Sequence, residues 1–299
     1  MTTPTPSSLA GSAPDGAPGP HGAAERHRGL TVVYVAYGVD RLQLDWIPAG
    51  TPVIVVCNDD RLTPPERPGL VVIDPGTNLG FGAAVNRALD RVDTPRILLC
   101  NPDTDLDREH FDALATSPTG ELVALPLVEM DGTANSVING YWGPVAFVAT
   151  ALRLGRFAPR DGLVRRLLTP LLGRWGRAHR ASLDNEAGTW PLAERWATAA
   201  VLALPVAEVR AVGGFDDAYF LYYEDADLQQ RLAARFPHLR LRLLDSTPGV
   251  HEVGGSATGE RSAVARHRRA AAVVYARRQP GVRWRLAALA VAAADRRWR

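Results

Sequence analysis

Three carboxylates, Glu224, Asp225 and Asp227, follow directly on an aromatic block, Tyr219-Phe-Leu-Tyr-Tyr223, and a Gly213-Gly214 turn. A carboxylate at such a place can strip the proton from an attacking hydroxyl. Acidic residues also suit a first helical turn, whose free N–H groups are positive, so the cluster is equally an ordinary helix start. The chemical reading needs a second acidic site, and Asn101-Pro-Asp103-Thr-Asp105 supplies one at the end of an apolar run. There a carboxylate can hold Mg2+ or Mn2+, hard cations that take few protein oxygens and clamp a diphosphate. As a bare string Asp103-x-Asp105 is also an acidic turn. His251 is a lone histidine after a strand-like run, in isolation more often structural than a ligand. Arg231 either reaches a phosphate or, more simply, pairs with Asp227 one turn away.

Gly80-Phe-Gly82-Ala-Ala-Val85 partly matches a dinucleotide fingerprint, but Val85 stands at the third glycine and the string follows the third strand. A nicotinamide or flavin site is therefore discounted. The turn can still receive a phosphate at a helix N-terminus, or it is simple helix entry with Asn78 as cap.

The elements that must position these residues read clearly. Leu30–Ala36, Pro52–Cys57, Leu70–Ile73 and Arg96–Cys100 are continuous apolar, β-branched runs suited to strands buried on both faces. Helical composition over Ala83–Arg91 separates the third from the fourth. The alternation predicts an α/β fold with a mostly parallel sheet, whose ligands gather beyond the carboxyl ends of the strands. Tyr37, Asn58, Asp59, Asn78 and Asp103 fall on that rim. Glu121–Thr150 reads as short strands, and Trp196–Leu204 as one buried strand. Leu239–Leu244 is a further strand leading to His251.

The chain of 299 residues, 46% hydrophobic and 22% charged, can build a sizeable core. All 34 basic residues are Arg, with a net charge of +2. Residues 1–28, rich in Pro, Gly, Ala and Ser, cannot offset their ordering entropy and are expected to be disordered. Residues 29–256 form the expected catalytic domain, interrupted at 151–185 by a basic, leucine-bearing helical insertion. Residues 257–299 are a basic helical extension with eleven arginines from Arg261 onward against Asp295 alone. That extension either packs on the domain or lies against an anionic membrane face. Cys57 and Cys100 have no metal or redox spacing and are expected as free thiols of a reducing compartment. No apolar run reaches membrane-spanning length and the N-terminus has no export pattern, so a cytoplasmic protein is expected.

In order, a first strand ending in Tyr37, Val56-Cys57-Asn58, Asn78-x-Gly80-Phe-Gly82-x-Ala-x-Asn86, Asn101-Pro-Asp103, Gly213-Gly-Phe-Asp-x-x-Tyr-Phe220, Glu224-Asp-x-Asp-Leu228 and His251 resemble the family 2 glycosyltransferases of the GT-A fold, in the bacterial rhamnosyltransferase-like branch. The resemblance spans residues 30–256. It implies inverting transfer of a sugar, rhamnose by analogy, from a nucleoside diphosphate-sugar to a saccharide or lipid-linked acceptor in cell-envelope synthesis, at the inner face of the cell membrane. Nucleic acid is not an expected partner. Asp225 matches the family's general base. Asp103 matches the metal ligand, with Asn101 at the motif's degenerate first position and His251 as second ligand or diphosphate contact. Tyr37, Asn58, Asp59, Asn78, Gly80, Gly82, Asn86 and Asn101 fall on the nucleotide-sugar side, and Trp196, Glu224 and Asp227 on the acceptor side. Three departures stand out: Cys57 replaces a usual acid, for which Asp59 is a substitute, Gly38 replaces a usual Asn, and Ala199 a usual Gly. Ala199 points to an unusual acceptor pocket, and the Cys57 and Gly38 departures keep a second reading open, a non-catalytic relative that binds nucleotide-sugars or scaffolds other enzymes.

Overall fold

A computed structural model describes residues 29–152, 185–252 and 261–297. The N-terminal segment and most of the basic insertion expected at 151–185 lie outside the described residues. Strands β1 (Leu30–Ala36), β2 (Val53–Cys57), β3 (Leu70–Ile73) and β4 (Arg96–Cys100) pair in parallel in the order β3-β2-β1-β4. Four more strands extend the sheet beyond β4: β11 (Val201–Pro205), β6 (Glu121–Ala124), β12 (Arg240–Leu243) and β9 (Gly188–Pro191). β11 runs antiparallel to both β4 and β6, β6 and β12 are parallel, and β9 closes the edge antiparallel. The sheet is mixed and mostly parallel, flanked by helices, as the resemblance to GT-A proteins implies. Because the chain leaves β1 first toward β2 and later returns to β4 on the other side, a crevice opens beyond their carboxyl ends.

Two small sheets cover that end. One pairs β13 (Gly249–His251) with β5 (Thr104–Asp105) and β7 (Leu127–Val128); the other joins β8 (Ile138–Gly140) to β10 (Arg195–Ala197). The helices are α1 (Phe81–Leu89), α2 (Arg108–Thr116), α3 (Pro144–Ala151), α4 (Val206–Ala211), α5 (Glu224–Arg235), α6 (Arg261–Arg278) and α7 (Val282–Arg297). β1, β2, β4 and β11 are almost wholly buried in the main core. A second apolar cluster, containing Phe147, Trp196, Tyr219, Tyr223, Tyr275 and Val291, joins α6 and α7 to α3 and the start of α5. The arginine-rich extension is thus packed on the α/β domain through its Ala, Val and aromatic positions.

Four local readings are corrected. Trp196–Leu204 is two strands in different sheets, because the chain breaks at Thr198–Ala200 to hydrogen-bond across: the Thr198 N–H meets the Val137 carbonyl, and the Ala200 carbonyl accepts from Asn101. Glu121–Thr150 contains α3 as well as strands, since Pro144 presets helical φ at N1 and has no N–H to lose there. β3 lies at the sheet edge with Val71 and Val72 exposed, although its sequence matches a buried strand. Asn78 does not cap α1; Gly80 occupies the N-cap, and the Asn78 side chain accepts from the Gly80 N–H at 2.9 Å.

Gly80 is one of the places where the two halves of the chain touch. Its φ is 80°, and a Cβ there would lie 2.1 Å from the Phe220 carbonyl oxygen, which accepts a hydrogen bond from the Phe81 N–H at 3.0 Å. Gly76 has a similar φ of 71° with open space around it. Gly76→Ala should therefore cost only the left-handed backbone penalty of about 1–2 kcal/mol. Gly80→Ala should cost at least ~2 kcal/mol more, because the Gly80 ψ of −176° belongs to a region that only glycine readily adopts and the Phe220 loop must also move. Urea unfolding of the two variants compares them directly; equal losses would mean that Phe220 does not bear on Gly80.

Candidate active site

Beyond the strand ends lies a cleft of about 1000 Å³, the size of a pocket for a large organic ligand. Among its lining residues are Tyr37, Asn58, Asp59, Asn78, Gly80, Asn101, Asp103, Trp196, Glu224, Asp225 and His251. Eleven of the fourteen residues singled out from the sequence therefore share one hollow. Gly82, Asn86 and Asp227 do not line it, and each has another use. A Cβ on Gly82 would press on Phe215 at 2.9 Å. The Asn86 amide brackets Phe215, accepting from its N–H at 2.9 Å and donating to its carbonyl at 2.8 Å. Asp227 is buried, accepts from Arg231 Nε at 2.7 Å and from the Tyr219 hydroxyl at 3.3 Å. Arg231 also donates to the carbonyls of Val212 and Gly214. The pair thereby ties α5 to the Gly213-Gly214 turn.

On the side of the cleft formed by the loops after β1 and β2, the polar residues first hold one another. Buried Asn58 donates to the Gly80 carbonyl at 3.0 Å and accepts from the Leu79 N–H at 3.3 Å, fixing the loop before α1 onto the end of β2. Asp59 accepts from the Gly38 N–H at 2.6 Å. Gly38 has a φ of 72°, a conformation that glycine adopts without strain. The loops after β1 and β2 are thus joined by Asp59, while Cys57 beneath them is a free, half-buried thiol. Burial and the neighbouring Asp74 and Asp59 push that thiol up, so it does not replace the usual acid as an anion.

Asp103 and His251 meet because β13 pairs antiparallel with β5, setting His251 opposite Thr104. The Glu252 N–H then donates to the Asp103 carbonyl at 3.0 Å. His251 Nε2 lies 3.3 Å from Asp103 Oδ1 and 3.3 Å from the Asn101 amide nitrogen. Asp103 Oδ1 is buried and receives no hydrogen bond. An oxygen and a nitrogen at this separation suit neighbouring ligands of an octahedral Mg2+ or Mn2+, whose cis donors lie roughly 3 Å apart. Among the described residues no group of three or more His, Cys, Asp or Glu could hold a metal. Two protein donors are what such an ion takes when waters and substrate phosphates fill the other positions.

At the other side of the cleft two consecutive non-glycine residues, Tyr222 (φ 76°) and Tyr223 (φ 69°), are left-handed just before α5. Such backbone costs of order 1–3 kcal/mol per residue and persists only where surroundings hold it. Here they do: Tyr223 packs on Trp142, Phe147 and Tyr275, and the Arg268 guanidinium lies 4.3 Å above the Tyr222 ring. The kink turns the first residues of α5 into the cleft. Asp225 accepts from the N–H of Ala226 at 2.8 Å, and the Ala199 peptide also donates to it. Burial outweighs these bonds and pushes its carboxyl up to about 6. Glu224 is pushed up further, by burial and then by Asp225, and its Oε2 has no partner. Gln229 clamps α5 to β10 through both backbone groups of Ala197, at 2.9 and 2.7 Å. This fixes Trp196, whose ring lies 5.3 Å from that of Trp142, and neither indole N–H has a partner. Phe220 and Tyr222 of the aromatic block line the cleft, and so do Trp142, His267 and Arg268, which carried no local signal: their roles come from distant packing, and Arg268 sits among many arginines.

No family model matches the chain. The chain is 29% identical over 187 residues to the N-acetylglucosaminyl-diphospho-decaprenol L-rhamnosyltransferases of two Mycobacterium tuberculosis strains, CDC 1551 and H37Rv. The match covers 55% of this chain and 53% of theirs, so the chain spans about half the length of the curated relatives it matches. It bears out the resemblance to rhamnosyltransferases. Among solved structures, the mannosyltransferase PcManGT of Pyrobaculum calidifontis, in complex with GDP-Man and Mn2+, aligns with a TM-score of 0.45 at 13% identity, covering 88% of this chain and 68% of that one. TarS of S. aureus (residues 1–349) aligns at 0.44 and 12%, covering 85% and 67%.

The raised Glu224 carboxyl makes a stability prediction. An acid whose folded value lies above its unfolded one favours the native state at low pH and loses that contribution as pH rises through the folded value. Relative to Glu224→Gln, the wild type should thus weaken as pH climbs from about 4, the ordinary carboxylate value, to above neutrality. Urea unfolding at pH 4 and pH 8 checks this; a stability difference that does not change with pH would overturn the buried-acid assignment.

Proposed function

We propose that this chain is an inverting glycosyltransferase that moves a sugar from a nucleoside diphosphate-sugar to an acceptor hydroxyl. The observation that carries the reading is the convergence of Asp225 and the Asp103–His251 pair on one cleft. Asp225 takes the acceptor proton as the oxygen attacks the anomeric carbon, while the bond from that carbon to the diphosphate oxygen breaks on the opposite face. Its raised carboxyl makes it a better base for an alcohol proton than an exposed aspartate is, and the Ala199 and Ala226 peptides hold it in place. Asp103 and His251 would hold a Mg2+ or Mn2+ ion, which supplies positive charge to the departing diphosphate. Tyr37, Asn58, Asp59, Asn78, Gly80 and Asn101 form the nucleotide side, with Asp59 in place of the acid missing at Cys57. Trp196 and Trp142 give the acceptor side an aromatic wall, and Glu224 lies buried at its base beside Asp225. Gly82, Asn86 and Asp227 act by holding the loops that carry these groups.

The named activity of the curated relatives favours a rhamnosyl donor and a lipid-linked diphosphate acceptor of cell-envelope synthesis. A lipid-linked acceptor places the protein at a membrane surface. α7 offers Val282, Leu286 and Leu289 to solvent, 68%, 60% and 61% exposed, with Arg283 and Arg285 exposed beside them. This pattern of apolar residues among cations suits an anionic phospholipid surface. Among the described residues no helix is long and apolar enough to cross a membrane.

Asp225→Asn should lower transfer at least about 10²-fold while leaving binding of the nucleotide-sugar intact in a thermal-shift panel of UDP-, dTDP- and GDP-sugars with and without Mn2+. Undiminished transfer would remove Asp225 as base, and a panel in which nothing binds would leave the transferase reading without support. The acid limb of the wild-type rate should lie near pH 6, following Asp225. For the surface, Leu286→Asp with Leu289→Asp should weaken sedimentation with phosphatidylglycerol vesicles by about tenfold, some 1.4 kcal/mol. Deleting the extension is the wrong test, because α6 and α7 are part of the second apolar cluster; unchanged vesicle binding by the double variant would exclude this face.

A further inference from the structure

The first helix of the C-terminal extension is a wall of the cleft. α6 contributes Ala263, Val264, His267 and Arg268 to its lining. The His267 ring stacks on Phe220 with centroids 4.3 Å apart and planes inclined by 25°, and the Arg268 guanidinium covers the Tyr222 ring at 4.3 Å. Both side chains are half-buried. The helix is held in place from its other end. Tyr275 donates to Gln230 at 3.3 Å, Gln230 and Gln279 exchange hydrogen bonds at 2.9 and 2.7 Å, and Arg278 pairs with Asp216. Arg268 is therefore presented by a fixed element and does not reach in from a loose tail.

The charge of Arg268 is uncommitted. Among the described residues it forms no ion pair with a carboxylate. Asp59 is engaged by Gly38, Asp225 by peptide N–H groups, and Asp103 faces His251. Stacking on Tyr222 leaves the edge of the guanidinium free, and that planar fork matches two phosphate oxygens at once. An imidazole on the adjacent residue can add a second donor.

We propose that Arg268, assisted by His267, binds a diphosphate in this cleft, a site additional to the Asp103–His251 pair. The inference rests on the transferase reading, in which the nucleotide donor carries one diphosphate and the lipid-linked acceptor another. The chemistry of recognition is the same for both.

The test compares wild type, Arg268→Gln and Arg268→Lys with Arg240→Gln, a change at the exposed start of β12 and outside the cleft lining, as control. Affinities for UDP against UMP, dTDP against dTMP, GDP against GMP, and geranyl diphosphate against geranyl monophosphate are measured by calorimetry at fixed Mn2+. Arg268→Gln should lower diphosphate affinity about tenfold with monophosphate affinity retained, and Arg268→Lys should recover only part, because it lacks the bidentate fork. A loss confined to the nucleotides assigns the site to the donor, and a loss confined to the geranyl compound assigns it to the acceptor. Unchanged diphosphate affinity, or an equal fall for monophosphates, would overturn the proposal while leaving the transferase reading standing. A wild-type protein that binds none of these probes would overturn both.

Discussion

Everything at the cleft depends on one close approach, that of the Phe220 carbonyl to Gly80. The sheet end with the loops after β1, β2 and β4 comes from the first part of the chain, and the acidic helix α5 from a part more than a hundred residues later. They are joined where the Phe81 N–H meets Phe220 and where Asn86 brackets Phe215. Only a residue without a Cβ leaves room for that carbonyl. The glycines and Asn86 of the Asn78–Asn86 string thus have a mechanical explanation that does not require each of them to touch a ligand.

A second consequence is the left-handed Tyr222-Tyr223 kink. It is costly backbone, and it is held from outside by rings and by a cation that belong to α3, α6 and the Trp142 loop. Burial of Glu224 and Asp225 is part of the same arrangement: the kink carries two carboxylates into a poorly solvated place, and both resist ionisation there. Asp227 on the same helix is also buried, and there Arg231 and Tyr219 meet it. Three acids within four positions therefore end with different partners: a guanidinium and a phenol for Asp227, peptide N–H groups for Asp225, and none for Glu224 Oε2.

The C-terminal extension changes meaning in this setting. Read as a string, its arginines and alanines suit a helix pair that either packs on the domain or lies on a membrane; folded, its inner face completes the aromatic cluster behind α5 and its first helix lines the cleft. Its outer face keeps the apolar and basic residues that the membrane reading uses. One segment thus has a structural role inside and leaves a distinct surface outside.

The sequence by itself determined the strands at Leu30, Val53, Leu70 and Arg96, the α/β class and the rim on which Tyr37, Asn58, Asp59, Asn101 and Asp103 stand. These follow from local patterns, apolar runs ended by polar turns, which the chain states within a few residues. It also marked both acidic sites and His251, through motif order. What only the tertiary structure decided was which of these residues face the same space. Gly82, Asn86 and Asp227 look as functional in the string as Gly80, Asn78 and Asp225, yet they brace loops, because their neighbours across the fold take up their space or hydrogen bonds. The break at Thr198–Ala200, the exposed edge at β3 and the placement of Trp142, His267 and Arg268 were equally illegible. Each is set by strand register and helix packing between residues far apart in the chain, and such long-range pairing leaves no periodic trace in the local sequence.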